Sequence, residues 1–375
     1  MRTTTMRVAP AAPPVPAPSL GPPPAAGMGR SAAWLLVLLL LVGLGFVLDI
    51  ALGSVAVPLP AVVRILLGQP GEADTAAWEF IVREIRLPKA LTALAVGSGL
   101  AVSGLQMQTL FRNPLAGPSV LGLTAGAGLG VAAVMLASGS VAGSLAIRTL
   151  GVGGSWGLVL AATAGAALVM GLVLALAGRV RDNVVLLIVG MMLASVTGAL
   201  VSLWQYFSAP EQIQEYLLWT FGSLGGVTGS HLAVLASVVA VGLGLAFSSA
   251  KSLNALLLGE NYARSMGLVV GRSRLLVILS TSLLAGSITA FCGPIGFVGI
   301  AVPHLTRALL RTADHRALLP ASCLAGAALT LACDCIAQLP GSQTTLPLSV
   351  VTSLLGAPVV LWVVLRRQNI RSSFS

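Results

Sequence analysis

The chain has 375 residues, of which 56% are hydrophobic and only 9% are Asp, Glu, Lys or Arg. Soluble domains carry about 25% charged residues, so this composition excludes a water-soluble globule and predicts a polytopic membrane protein. The formal charge of +10 does not indicate nucleic acid, because most basic residues sit in short gaps between apolar runs, as cytoplasmic loops require.

Residues 1–31 are rich in Pro and Ala, with Arg2, Arg7 and Arg30 as their charges, and are predicted to form a disordered cytoplasmic tail. A ten-helix transmembrane domain is predicted over 32–367, followed by a second cytoplasmic tail over 368–375. The first span is Ala32–Ile50. A signal peptide ending at "SVA" (54–56) is the rival reading, but the run is too long for one and many spans follow. Further spans are predicted at 90–110, 117–138, 156–178, 183–207, 231–249, 273–292, 296–310, 317–337 and 347–365.

Lys and Arg near the span ends set the topology. Arg112, Arg179, Arg181, Lys251, Arg264, Arg272, Arg274, Arg307, Arg311, Arg316, Arg366, Arg367 and Arg371 fall on one side, and Arg64, Arg83, Arg86, Lys89 and Arg148 on the other. The bias fits ten spans in the inner membrane with both termini cytoplasmic. Small residues four apart, as in Gly190, Ala194 and Gly198, allow close helix approach. "GLTAGAGLG" (122–130) follows no strand pattern and reads as a packed helix start, not a nucleotide loop.

Several chemistries are missing. The only lysines, Lys89 and Lys251, follow Pro88 and Ala250, so no Walker A motif exists and any ATP hydrolysis belongs to another subunit. Asp49 and Asp334 lie at span ends and read as interfacial or helix-pairing residues, which weakens an ion-coupled secondary carrier, the alternative from a different class. His231, His304 and His315 are scattered, and Cys292, Cys323, Cys333 and Cys335 form no Cys-x-x-Cys pair. No metal site is therefore predicted, and a metal crossing this protein travels inside an organic chelate.

"RLPKALTALAVGSGLAVSGLQMQTLFRNPLAGPSVLGLTAGAGLG" (86–130), "LLGENYARSMGL" (257–268), "GPIGFVGIAVPHLTR" (293–307), "DHRALLP" (314–320) and "LPLSVVTSLLGAPVVLWVVL" (346–365) occur in this order. They resemble the FecCD-type permeases, membrane subunits of binding-protein-dependent ATP-binding cassette importers for iron-siderophores, haem and vitamin B12. The resemblance covers residues 33–367. It implies an all-α, ten-helix fold with an inverted pseudo-repeat, acting beside a second permease copy (homodimer or close paralogue) in the lipid bilayer. It also implies two ATPase subunits, which hold the ATP and Mg, and a periplasmic or lipid-anchored binding protein. No cofactor is expected on this chain and no nucleic acid. Cargo is expected to be an iron-siderophore, with haem or cobalamin as alternatives.

The resemblance also assigns residues. Arg86 and Lys89 take the basic positions that dock the binding protein, while Gln338 stands where relatives commonly carry a third, Arg, which puts that contact in doubt. Pro88 is expected in the first turn of its helix. Asn113, Pro114 and Pro118 form a turn and helix start; Gly293, Pro294 and Gly296 make a bend before the eighth span, where Pro303 kinks the helix and His304 is a structural histidine. Gln205, Tyr206, Gln212 and Gln214 lie in or near the gate region after the fifth span. The charged island at 257–274, within a coupling segment over 251–274, is expected to form two short helices. Gly259, Glu260, Ala263, Arg264 and Gly267 engage the ATPase, Gly267 as a C-cap, and Arg272 and Arg274 serve topology.

Overall fold

The computed structural model describes residues 28–53, 55, 57–68, 76–136, 155–177, 179, 183–227, 229–338 and 345–372, and its regular structure is all helical. The helices are α1 (Met28–Ala51), α2 (Leu59–Leu66), α3 (Ala76–Phe80), α4 (Leu87–Leu110), α5 (Leu123–Met135), α6 (Ser155–Ala177), α7 (Asn183–Tyr206) and α8 (Pro210–Thr220). They continue with α9 (Gly229–Ser248), α10 (Ala250–Leu257), α11 (Glu260–Ser265), α12 (Val270–Cys292), α13 (Val298–Leu310), α14 (His315–Ala337) and α15 (Leu348–Ser372). Among the described residues, seven helical stretches are long and apolar enough to cross a membrane, and α5, α13 and the apolar part of α15 are shorter apolar helices. These ten fall on the ten expected spans.

The edges differ from expectation for physical reasons. Pro88 falls in the first turn of α4 as expected, but further helix precedes it, so Arg86 and Pro88 lie within a longer helical stretch from Ala76 to Leu110. A π-helical stretch at Ile81–Arg86, in which Leu87 N–H reaches back to Val82 O, precedes Pro88, which has no N–H to continue the ladder. The expected span at 117–138 is broken. A 3₁₀ turn at Pro118–Leu121 ends on Gly122, whose φ of +77° is left-handed, and α5 starts after it. At the other end α15 continues to Ser372, so residues 368–372 are helical; Arg and Gln are good helix formers and extend the helix beyond its apolar part. Residues 1–27, Ser54, Ala56, Arg148 and Arg181 lie outside the described residues.

α4 is the central helix. In its most apolar stretch 83% of residues are buried, against 6% for α1, which leans on the bundle from outside. Its small residues explain this position. A Cβ on Gly97 would stand 2.2 Å from Gly326 O, and one on Gly104 would stand 1.7 Å from Gly299 O. The backbone of α4 thus touches those of α14 and α13 directly, as small-residue helix contacts do in membranes. Gly190 and Ala194 on α7 receive the close approach of Gly122, while Gly198 lines a cavity.

Candidate functional site

The charged island closes one end of the bundle. α9 stops at Ser248 and a separate helix, α10, leads to Gly259, whose φ of +105° turns the chain into α11. Glu260 opens α11 and is bonded twice. Its Oε2 accepts from Arg264 one turn on (3.2 Å), and its Oε1 accepts from Arg274 in the first turns of α12 (3.0 Å). Arg274 is buried, so assigning it to topology alone was incorrect; it anchors α11 to α12 through Glu260. Ala263 faces inward with no exposed surface.

Gly267 ends α11 with φ +82°, in the C-cap position expected from the sequence. Its N–H donates to Arg264 O (2.9 Å) and Leu268 N–H to Ala263 O (3.0 Å), the paired bonds of a Schellman motif. The second short helix expected here is instead the start of α12, which begins at Val270 rather than 273. What the sequence reading missed lies on the outer face. Leu258, Tyr262 and Met266, four residues apart, are each more than half exposed, and Val269 continues the ridge. Tyr262 and Met266, one turn apart on α11, carried the helical spacing that signalled this face, within a segment read mainly for its charges; Leu258 precedes the break at Gly259.

Beside the island, Asn113 Oδ1 accepts from Leu115 N–H (2.9 Å) and Asn113 O from Ala116 N–H (3.1 Å), forming the expected turn. His304 Nε2 donates to Pro114 O (2.8 Å), so this histidine ties α13 to the turn as a structural residue. Pro303 sits inside α13. At the opposite end Gly293 (φ +72°) and Phe297 (φ +64°) make the bend before α13.

The end opposite the island holds a buried polar cluster. Arg86 is 6% exposed and donates from Nη1 to Ile50 O and Ala51 O (both 2.9 Å), and from Nη2 to Val55 O. It therefore caps the orphan carbonyls at the C-terminus of α1, a favourable place for a cation. Lys89 pairs with Asp334 at 3.0 Å. Gln338 Nε2 donates to Asp334 Oδ2 (2.9 Å) and Asp49 Oδ1 (3.0 Å). Asp49 and Asp334 are thus helix-pairing residues joining α1, α4 and α14. Arg83, which the docking assignment passed over, is about half exposed, paired with Glu79 at 3.0 Å and bonded to Ile65 O.

Between the two ends lies a cavity of about 370 Å³ lined by residues including Ser119, Thr124, Gly198, Tyr216, Trp219 and Pro294. A smaller one of about 110 Å³ shares Ser119, Thr124 and Pro294 and reaches Gly296. No residue lining either carries a formal charge. Of the gate residues considered, Gln212 accepts from Ala209 N–H as a helix cap (3.2 Å) and Tyr206 is 82% exposed. The aromatics that line the cavity are Tyr216 and Trp219, three apart on α8, a spacing the sequence displayed.

A bundle of ten apolar helices with an exposed island at one end, a polar cluster at the other and an uncharged cavity between them defines a multi-pass membrane permease. The model of the FecCD transport family matches residues 37–366. The chain is 37% identical over 341 residues to the vitamin B12 import system permease protein BtuC of Klebsiella pneumoniae, covering 91% of this chain and 96% of the relative. The protein of the same name from Salmonella paratyphi A is 37% identical over 338 residues, covering 90% and 96%. A solved structure described as an inward-facing conformation of a metal-chelate type ABC transporter superposes with a TM-score of 0.74 at 29% identity, covering 89% of this chain and 99% of that one. The chain belongs to the FecCD transport family. It is the permease of an ATP-binding cassette importer, embedded in the inner membrane, and ATP is hydrolysed on a separate subunit.

Proposed function

We propose that this permease carries a metal bound in an organic chelate, and that the cargo is vitamin B12. The observation that supports this most is the similarity to vitamin B12 permeases along about nine-tenths of the chain. The cavity lining agrees in chemistry with such a cargo, being uncharged and carrying Tyr216, Trp219, Ser119 and Thr124, while its volume of about 370 Å³ is that of one part of a pathway and too small to enclose a cobalamin. Such a lining suits a large, carbon-rich complex whose metal charge is shielded by its ligand. An iron-siderophore is the second reading, favoured by the metal-chelate description of the solved neighbour.

The island faces the cytoplasm in this reading, and both termini lie on that side. The ridge of Leu258, Tyr262 and Met266 seats in an ATPase subunit, while Glu260 and Arg274 hold α11 to α12 so that a push on the ridge moves a membrane helix. Two ATPase subunits, a second permease copy and a binding protein on the outer side complete the machine. At the outer face the exposed cations Arg64 and Arg83 are within reach of a docking protein, while Arg86 is bonded to the end of α1 and Lys89 to Asp334.

Uptake into vesicles containing the permease, its ATPase and its binding protein tests this. Cobalamin is expected to accumulate only with ATP, and ferric siderophores are not. Accumulation of a ferric siderophore in place of cobalamin selects the second reading; accumulation on an ion gradient without ATP overturns the proposal.

A further inference from the structure

α4 and α14 run antiparallel and form the most extensive helix pair in the chain. Each end of the pair is fastened by polar side chains. At the far end Lys89 of α4 pairs with Asp334 of α14 at 3.0 Å. At the island end Thr109 Oγ1 of α4 lies 2.8 Å from His315 Nε2 of α14. Between them the backbones touch at Gly97 and Gly326. Helices in such contact and fastened at both ends do not slide past one another, since close-packed interfaces resist continuous deformation. They make one strut across the membrane, about 36 Å long at 1.5 Å per residue for the 24 residues of α4.

The island hangs on this strut by a directional junction. Asn254 lies on α10, directly before the island, and its Oδ1 accepts from both the backbone N–H and the ring Nδ1 of His315 (2.8 Å each). Its Nδ2 donates to Asp314 Oδ1 (2.6 Å), which fixes which way the amide points. Asp314 in turn caps α14 by accepting from Arg316 N–H (2.9 Å). Burial pushes the Asp314 carboxyl up, but the Arg316 N–H and the Asn254 amide outweigh this and hold it below its ordinary value. An amide oxygen only accepts, so Nδ1 carries a proton and, in the neutral ring, Nε2 is left as an acceptor; the Thr109 hydroxyl has one proton to share between Nε2 (2.8 Å) and Leu105 O (2.9 Å). His315 and Thr109 are each 1% exposed.

One chain of side chains, Asn254–His315–Thr109, therefore joins α10, α14 and α4. The buried Leu253 and Leu256 of α10 also face the core, but apolar burial is non-directional, whereas the paired bonds to Asn254 fix register.

We propose that His315 is a positioning residue for transport: it fastens the island to the α4–α14 strut, so that displacement of the island on the ATPase side is delivered to the far face. The inference rests on the importer reading above. Its test is the number of cargo molecules taken up per ATP hydrolysed by the complete transporter in vesicles. Thr109→Val removes the hydroxyl and keeps the shape; His315→Leu removes the ring nitrogens.

Each is expected to lower uptake per ATP roughly tenfold while hydrolysis continues, within the range of ordinary allosteric coupling. The double variant falls no further, because both changes cut the same link. Thr109→Ser restores the ratio. A wild-type ratio in Thr109→Val, or uptake and hydrolysis falling in proportion, overturns the proposal. If His315→Leu does not assemble, Thr109→Val against Thr109→Ser decides the matter. Failure of the importer reading is separate, since it appears in the unaltered protein as uptake that needs no ATP.

Discussion

The two ends of the strut use their charges alike but leave different surfaces. At the far end Arg86, Lys89, Asp49 and Asp334 turn inward and bond to one another's helices, so residues that look like a docking patch also hold α1, α4 and α14 together. At the island end Glu260 and Arg274 are likewise consumed internally, but this consumption pushes an apolar ridge outward. The buried charges at both ends are structural, and exposed apolar side chains mark the contact face at the island. The reason is the solvent. A cation with no partner is costly near hydrocarbon, so charges at helix ends are drawn to carbonyls and carboxylates.

Four substitutions break or sharpen this contrast. The largest effect is expected from Gly97→Leu, which drives a side chain into Gly326 O and separates the two ends. No folded permease should be recovered, read as loss of the monodisperse peak in detergent chromatography. Next is Asp334→Ala, which strands Lys89 and removes one of the two acceptors of Gln338. Loss of one partner of a buried pair costs about 3 kcal/mol, to be seen as a lower thermal midpoint.

Arg86→Lys keeps the charge but loses the planar fork that reaches three carbonyls. A loss of about 1–2 kcal/mol is expected from the same melting assay, with little change in binding-protein affinity. A large affinity loss without destabilisation would instead make Arg86 a docking residue. The smallest stability effect belongs to Tyr262→Ser on the ridge, within about 0.5 kcal/mol for an exposed site. It should nonetheless weaken co-purification of the ATPase subunit; unchanged co-purification would detach the ridge from that contact.

Much of this was legible in the chain itself. Ten apolar runs gave the ten helices because a bilayer-spanning helix must be apolar over its whole length, and that pattern survives any arrangement of neighbours. The island was legible as charge interrupting oil. Gly267 was legible as a helix end because a left-handed cap favours glycine whatever surrounds it.

Partnership was not legible. "RLPK" shows two cations at a helix end, and nothing local says that one of them faces the carbonyls of α1, 36 residues earlier in the chain. Glu260 and Arg274 lie 14 residues apart, beyond the reach of any helical periodicity, and meet because α11 folds back on α12. His315 and Thr109 are separated by 206 residues and face each other through the antiparallel packing of α4 and α14. Sequence by itself determined which segments enter the membrane, since that depends on a residue's own solvation. Tertiary structure alone decided which charges are spent inside and which surface is left for a partner, since that depends on what stands opposite each side chain.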